Sequence, residues 1–259
     1  MSIVDQVSDA VSMLEDKGLP RPEGTLSGHA AGLPFERNVH SLLVASFGER
    51  VCRQFDALNR VLLGSLEALS YSQRSELFGP PALRGLVARG KETTKSWSPT
   101  NLFEEKQDDT AESILFSKKE ISFFDESVVL IDVKTQNIAK PAQAPNIISS
   151  DKLARTLRSA LEDGQLNFDI VYIAVSFLPT ATKLVCKSVR TVSLFKIAEP
   201  MYINWTAAQQ IQFHPLKVDQ DYDGSKQEWA RSYLKNFCIS LEARIGKDRK
   251  RLESYRSVL

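Results

Sequence analysis

The run Val128-Val129-Leu130-Ile131-Asp132-Val133-Lys134-Thr135 limits the fold more than any other stretch of this chain. It is rich in β-branched residues and long enough for one buried strand, yet two charges of opposite sign interrupt it. Residues two apart share a face of a strand, so Asp132 and Lys134 point one way while Ile131, Val133 and Thr135 cover the other. An isolated ion in an apolar layer is costly unless it is paired or bound to a metal. Two arrangements meet that requirement: a salt bridge at a strand end, or a carboxylate that holds a divalent cation beside an ammonium that steers a water. The second is the chemistry of phosphodiester hydrolysis. Three other acid-x-Lys tripeptides, Glu15-Asp16-Lys17, Glu104-Glu105-Lys106 and Asp248-Arg249-Lys250, sit in polar surroundings and are expected to be solvated surface.

The 259 residues, 42% hydrophobic and 25% charged, describe an ordinary globular chain, read as one domain over 1–259. With a net charge of +1, nucleic-acid binding has to come from local basic patches rather than a global field. Cys52, Cys186 and Cys238 are widely separated, which disfavours both a disulfide framework and a zinc site and fits a reducing cytoplasm. No apolar run approaches the ~20 residues of a membrane span, so no membrane association is expected.

Periodicity predicts a short amphipathic helix over 3–16, then a tight glycine-rich turn over 24–32 near the active face, then a helix opening at Pro34. Glu36 falls in the first turn of that helix, where it favours the dipole or faces a metal site. Residues 50–90 continue as helical segments. Gly85 to Lys91 imitates a phosphate-binding loop but lacks both a preceding strand and the Ser or Thr after the Lys, so Arg89, Lys91 and Lys95 are better placed as phosphate contacts or surface charges. Ser113–Phe116 and Ile121–Phe124 are short extended runs leading into the Asp132 strand, preceded by the carboxylate-rich 104–112. One carboxylate there is the expected second ligand of a hard cation such as Mg²⁺, with a backbone carbonyl such as that of Val133 as a further donor. Gln136 to Ser149 is a loop of small residues and amides suited to reading base edges. A helix from Lys152, strands over 168–177 and 183–192, an amide-rich run over 201–214 and a long helix from Glu228 with a basic end complete the chain.

Five strings carry a resemblance: Gly24-Thr25-Leu26-Ser27-Gly28-His29-Ala30-Ala31-Gly32, Asn101-Leu102-Phe103-Glu104-Glu105-Lys106-Gln107, Asp132-Val133-Lys134-Thr135, Ala142-Gln143-Ala144-Pro145-Asn146-Ile147-Ile148-Ser149 and Tyr202-Ile203-Asn204-Trp205. Together they resemble the HincII/HindII type II restriction endonucleases. The resemblance implies a PD-(D/E)xK fold: an α/β architecture with a central mixed β-sheet flanked by helices. It also implies a homodimer on palindromic double-stranded DNA, Mg²⁺ dependence and double-strand cleavage at a site related to GTYRAC, leaving 5′-phosphate and 3′-hydroxyl ends. A cognate DNA methyltransferase is expected in the same system, without a stable complex. Two other readings stay open: a PD-(D/E)xK nuclease of another duty, such as repair nicking, and a non-catalytic DNA-binding module.

Carried over residue by residue, the resemblance makes Asp132 the central metal ligand and Lys134 the residue that orients or deprotonates the attacking water. The family's other metal-binding acid is an Asp shortly after an Asp-Thr-Ala string. This chain has Asp109-Thr110-Ala111-Glu112, so Glu112 takes that role, with Asp109 as the fallback. Gln143, Ala144 and Asn146 inherit DNA contact, Gln143 by insertion beside the recognition site, and Asn204 is a further base reader. Apart from the resemblance, Lys91 of the basic stretch and Thr135 complete the expected DNA-contacting set.

Overall fold

A computed structural model describes residues 2–24, 28–52, 113–116, 128–141, 144–162, 164, 166, 168–197, 202–204 and 210–258. The helices are α1 (Ile3–Ser12), α2 (Gly28–Phe47), α3 (Ser150–Glu162) and α4 (Lys226–Arg256). The strands are β1 (Gly18–Pro20), β2 (Val51–Cys52), β3 (Ser113–Phe116), β4 (Val128–Asn137), β5 (Asn146–Ser149), β6 (Phe168–Pro179), β7 (Lys183–Ser193), β8 (Tyr202–Asn204) and β9 (Gln210–Gln212).

A mixed sheet runs in the order β1-β7-β6-β4-β3-β2, and a second, three-stranded sheet runs β5-β9-β8. Within the large sheet β4 and β6 are parallel, while the other pairings are antiparallel. The centre is β6, whose sequence is almost uninterrupted apolar residues, as a strand covered on both faces requires. Alternation then sorts the side chains of β4. Val129, Ile131 and Val133 pack with Val11, Phe35 and Val39 of α1 and α2. Leu130 packs on the other side with Leu157 of α3, Ile211 of β9 and Trp229 of α4. Helices therefore cover both faces of the mixed sheet, as expected from the sequence.

Several elements fall where periodicity put them: β3 over 113–116, β6 from Phe168, β7 from Lys183, and α3 around Leu153 and Leu157. The glycine-rich stretch does not. α2 begins at Gly28, and Pro34 sits inside it. An interior proline costs about 3 kcal/mol, and the turn ahead of it buries Ala31. Gly32 lets the helix sit close to β4: a Cβ there would come 2.9 Å from Glu36 Oε1 and 3.6 Å from Thr135 Oγ1. The base-reading loop is also shorter than expected, because β4 continues to Asn137 and Asn146–Ser149 is a strand. The expected strand Ile121–Phe124 and the segment Gly85–Lys91 lie outside the described residues.

The small sheet and α4 are anchored to the core by two aromatic residues. Trp229 Nε1 donates to the Ile197 carbonyl at 2.8 Å, and the Tyr233 hydroxyl donates to the Ser150 carbonyl at 2.9 Å, immediately after β5. At its start, α4 is closed by a capping box between Ser225 and Glu228. Removing one buried hydrogen bond costs about 1 kcal/mol, so Tyr233→Phe should lower the free energy of unfolding by that amount. Urea titration of the two proteins, followed by circular dichroism, measures it.

Candidate active site

Asp132 and Lys134 occupy the same face of β4, and their side chains meet: Lys134 Nζ lies 2.7 Å from Asp132 Oδ2. The carboxylate is only 7% exposed and the lysine 22%, so the pair spans the boundary between core and solvent. Register explains the gradient. Across the parallel ladder Asp132 pairs with Tyr172, which is buried, whereas Lys134 pairs with Ala174, a side chain too small to close over it. The described pairing of β3 with β4 ends at Ser113↔Ile131, one residue short of Asp132. Asp132 therefore stands where the described ladder narrows to the β6 side alone.

Beyond Lys134 lies a cavity of about 20 Å³, lined by Lys134, Thr135, Gln136, Pro145, Ala174, His214, Pro215 and Leu216. The turn that closes it is tied to β7. Arg190, the Cα partner of Ala174, donates to the carbonyls of Pro215 and Val218 at 3.3 and 2.6 Å. Gln220 exchanges two further bonds with the same strand, accepting from Ser193 N and donating to Thr191 O. Both ring nitrogens of His214 are buried without a hydrogen-bond partner. Burial, then the nearby Lys217 ammonium, holds the imidazole below its ordinary range.

The candidate base-reading residues come together on the small sheet. Asn146 of β5 pairs with Gln212 of β9, and Asn204 of β8 pairs with Gln210 of the same strand. They thus flank β9 on either side, two rows apart, although far apart in the chain. Ala144, just before β5, is exposed. Glu36 is placed differently from expectation. It lies in the interior of α2 rather than its first turn, and its carboxylate neighbours Gly32 and Thr135 on the side of β4 away from Asp132 and Lys134. Asp109, Glu112, Lys91 and Gln143 lie outside the described residues.

Ala174, Arg190 and His214 were not singled out by sequence reasoning. Ala174 and Arg190 join the site only through strand register, which spacing along one chain does not reveal. His214 carried a faint signal, a lone imidazole at the end of the alternating run Gln210-Ile211-Gln212-Phe213. The donors at Asp132 and Val133 are a carboxylate and a backbone carbonyl, oxygen atoms of the kind a hard cation prefers. Among the described residues no three His, Cys, Asp or Glu side chains gather at metal-binding distance. No described helix is long and apolar enough to cross a membrane.

A mixed sheet with helices on both faces and a buried Asp-x-Lys pair on an interior strand defines the class, a restriction-endonuclease-like fold. The pattern of the family described as Restriction endonuclease HincII matches residues 11–253. Two proteins of Haemophilus influenzae are similar over nearly their whole length. The type II restriction enzyme HindII is 43% identical over 249 residues, 94% of this chain and 93% of that protein. The type II restriction enzyme HincII is 42% identical with the same coverage of each chain. The chain belongs to the HincII restriction endonuclease family and is a type II restriction enzyme.

The state of His214 has a consequence for stability. An imidazole whose folded pKa is depressed binds fewer protons folded than unfolded, so its contribution is intact above the unfolded value of about 6.5. It is lost as the pH falls below that value. His214→Gln should therefore flatten the decline in melting temperature between pH 7 and 5 relative to the parent. Thermal melts across that range, without metal or DNA, measure the difference.

Proposed function

We propose that the chain cleaves both strands of a palindromic DNA duplex as a cytoplasmic homodimer, with Mg²⁺ as cofactor, at a site related to GTYRAC. The products carry 5′-phosphate and 3′-hydroxyl ends, and the partner activity in the cell is a cognate methyltransferase that forms no stable complex with it. The observation that carries this reading is the buried Asp132–Lys134 pair, 2.7 Å apart, in a chain of this family.

The Asp132 carboxylate, the Val133 carbonyl and Glu112 would hold the cation. Support for Glu112 is that its covalent neighbour Ser113 pairs with Ile131, the residue before Asp132. When bound, the cation lowers the pKa of water and neutralises charge developing on the phosphate. Lys134, fixed by its bond to Asp132 and by the rigid β4–β6 ladder, presents the remaining ammonium protons where the attacking water and a phosphate oxygen would lie. Asp132 keeps the ammonium in place, and the apolar layer beneath it limits the access of bulk water.

Recognition belongs to a different part of the chain. Asn146 and Asn204, on the strands flanking β9, are the base-reading residues, with the exposed Ala144 letting the backbone approach a groove. Gln143 would insert at a base step, where unstacking costs a few kcal/mol and is cheapest at flexible pyrimidine-purine steps. Thr135 and Lys91 would contact the phosphate backbone. Residues 1–259 act as one domain in this reading.

Lys134→Ala should abolish cleavage while DNA affinity in a gel shift stays within about threefold, because the phosphate contacts that dominate affinity lie elsewhere. Near wild-type cutting by purified Lys134→Ala would overturn its role. Asp132→Ala and Glu112→Ala should each lose Mg²⁺-dependent cleavage of plasmid DNA, and Asp109→Ala should not. Full activity in Glu112→Ala together with none in Asp109→Ala would move the second ligand to Asp109. Sequencing the ends of a digested plasmid tests the recognition site.

A further inference from the structure

His214 has no structural reason to keep two buried nitrogens unpaired. Leaving a buried polar atom without a partner costs about 1–3 kcal/mol. The turn that carries it is not loose, since Arg190 and Gln220 tie residues 215–220 to β7. His214 lines the same cavity as Lys134.

That cavity is about 20 Å³. A water needs about 10–15 Å³ and two or more polar partners, so the space suits one water. Lys134 supplies donors, for an ammonium has three protons and Asp132 takes one of them at 2.7 Å. A neutral imidazole supplies an acceptor. Burial and the Lys217 ammonium in its own turn disfavour an imidazolium, and the Lys134 ammonium lines the same cavity.

We propose that one ordered water in this cavity links the acceptor nitrogen of His214 to the Lys134 ammonium, which makes His214 a positioning residue for Lys134. The inference rests on the role given to Lys134 above. The water accepts one ammonium proton and donates one of its own to the imidazole, so rotation about the Cε–Nζ bond is fixed at two points, Asp132 and the water. The third proton is then preset toward the open side of the site. A donor held in advance needs no reorganisation when charge develops. His214 itself touches neither the DNA nor the attacking water.

The test uses the full chain with His214 replaced by Ala, Gln and Asn. Steady-state cleavage of a duplex bearing the recognition sequence should show kcat reduced about tenfold in His214→Ala, as is common when a supporting partner of a catalytic group is removed. KM for DNA and the melting temperature should be unchanged. Gln or Asn, whose amide oxygen replaces one or the other ring acceptor, should restore kcat to within about threefold, since one acceptor replaces another. In the protein free of metal and DNA, the ¹⁵N resonances of His214 should report a neutral ring and should move in Lys134→Met. Wild-type kcat in His214→Ala, a loss restored by neither amide, or His214 resonances indifferent to Lys134→Met would each overturn the proposal. Cleavage by Lys134→Ala would instead refute the role of the lysine, and the resonances would still decide whether the water link exists.

Discussion

The buried ion pair on β4 is the constraint to which the neighbouring structure conforms. Taking a carboxylate out of water costs several kcal/mol, and an ammonium at 2.7 Å offsets that cost only if it is held there. The sheet meets the condition by grading the space along one strand. Leu130 lies in the core, Asp132 faces a buried tyrosine position, and Lys134 faces an alanine and reaches toward solvent. A bulkier residue at 174 would press on the lysine, and a smaller one at 172 would let water reach the carboxylate. The pair therefore depends on β6 as much as on β4.

Much of this was legible in the sequence because the signals were long. A ten-residue apolar strand with two charges on one face, a twelve-residue apolar strand and a helix with Trp229 and Tyr233 on one stripe each contain several periods of their pattern. The three strands of the small sheet are only three or four residues long, less than two clear alternations, and they read as an amide-rich loop. The start of α2 was misplaced because a proline is a strong local signal, whereas the packing of Ala31 and Gly32 ahead of it is tertiary. In the site, Asp132 and Lys134 announced themselves as charges in an apolar run. Ala174, Arg190 and His214 did not, because strand register and a turn closing from another sheet assemble them. The assignments of Glu112 and Gln143 rest on family likeness, and that of Lys91 on its place in a basic stretch.

The ion pair and the candidate base readers occupy separate sheets joined by a short piece of chain. β4 carries the ion pair, residues 138–145 lead out of it, and β5 begins at the first candidate base reader. β9 then connects the small sheet to the turn that carries His214, so both ends of the cavity are covalently continuous with strands of the small sheet. A displacement of the small sheet on engaging its site would be felt at Lys134 from two directions. Rigid ties from Arg190 and Gln220 to β7 limit how far that displacement can go.

The order of the strands also sets when the molecule can exist at all. β1 pairs with β7, Gly18 opposite Val185, and β4 obtains its parallel neighbour only when residues 168–177 are available. Chains emerge from the ribosome N-terminus first, at about 5–20 residues per second, and pairings so distant in sequence are intrinsically slow to close. A nascent or truncated chain ending before β6 carries Asp132 and Lys134 without the strand that aligns them. For an enzyme that cuts DNA, the consequence is that a broken message yields a fragment without the ordered ion pair.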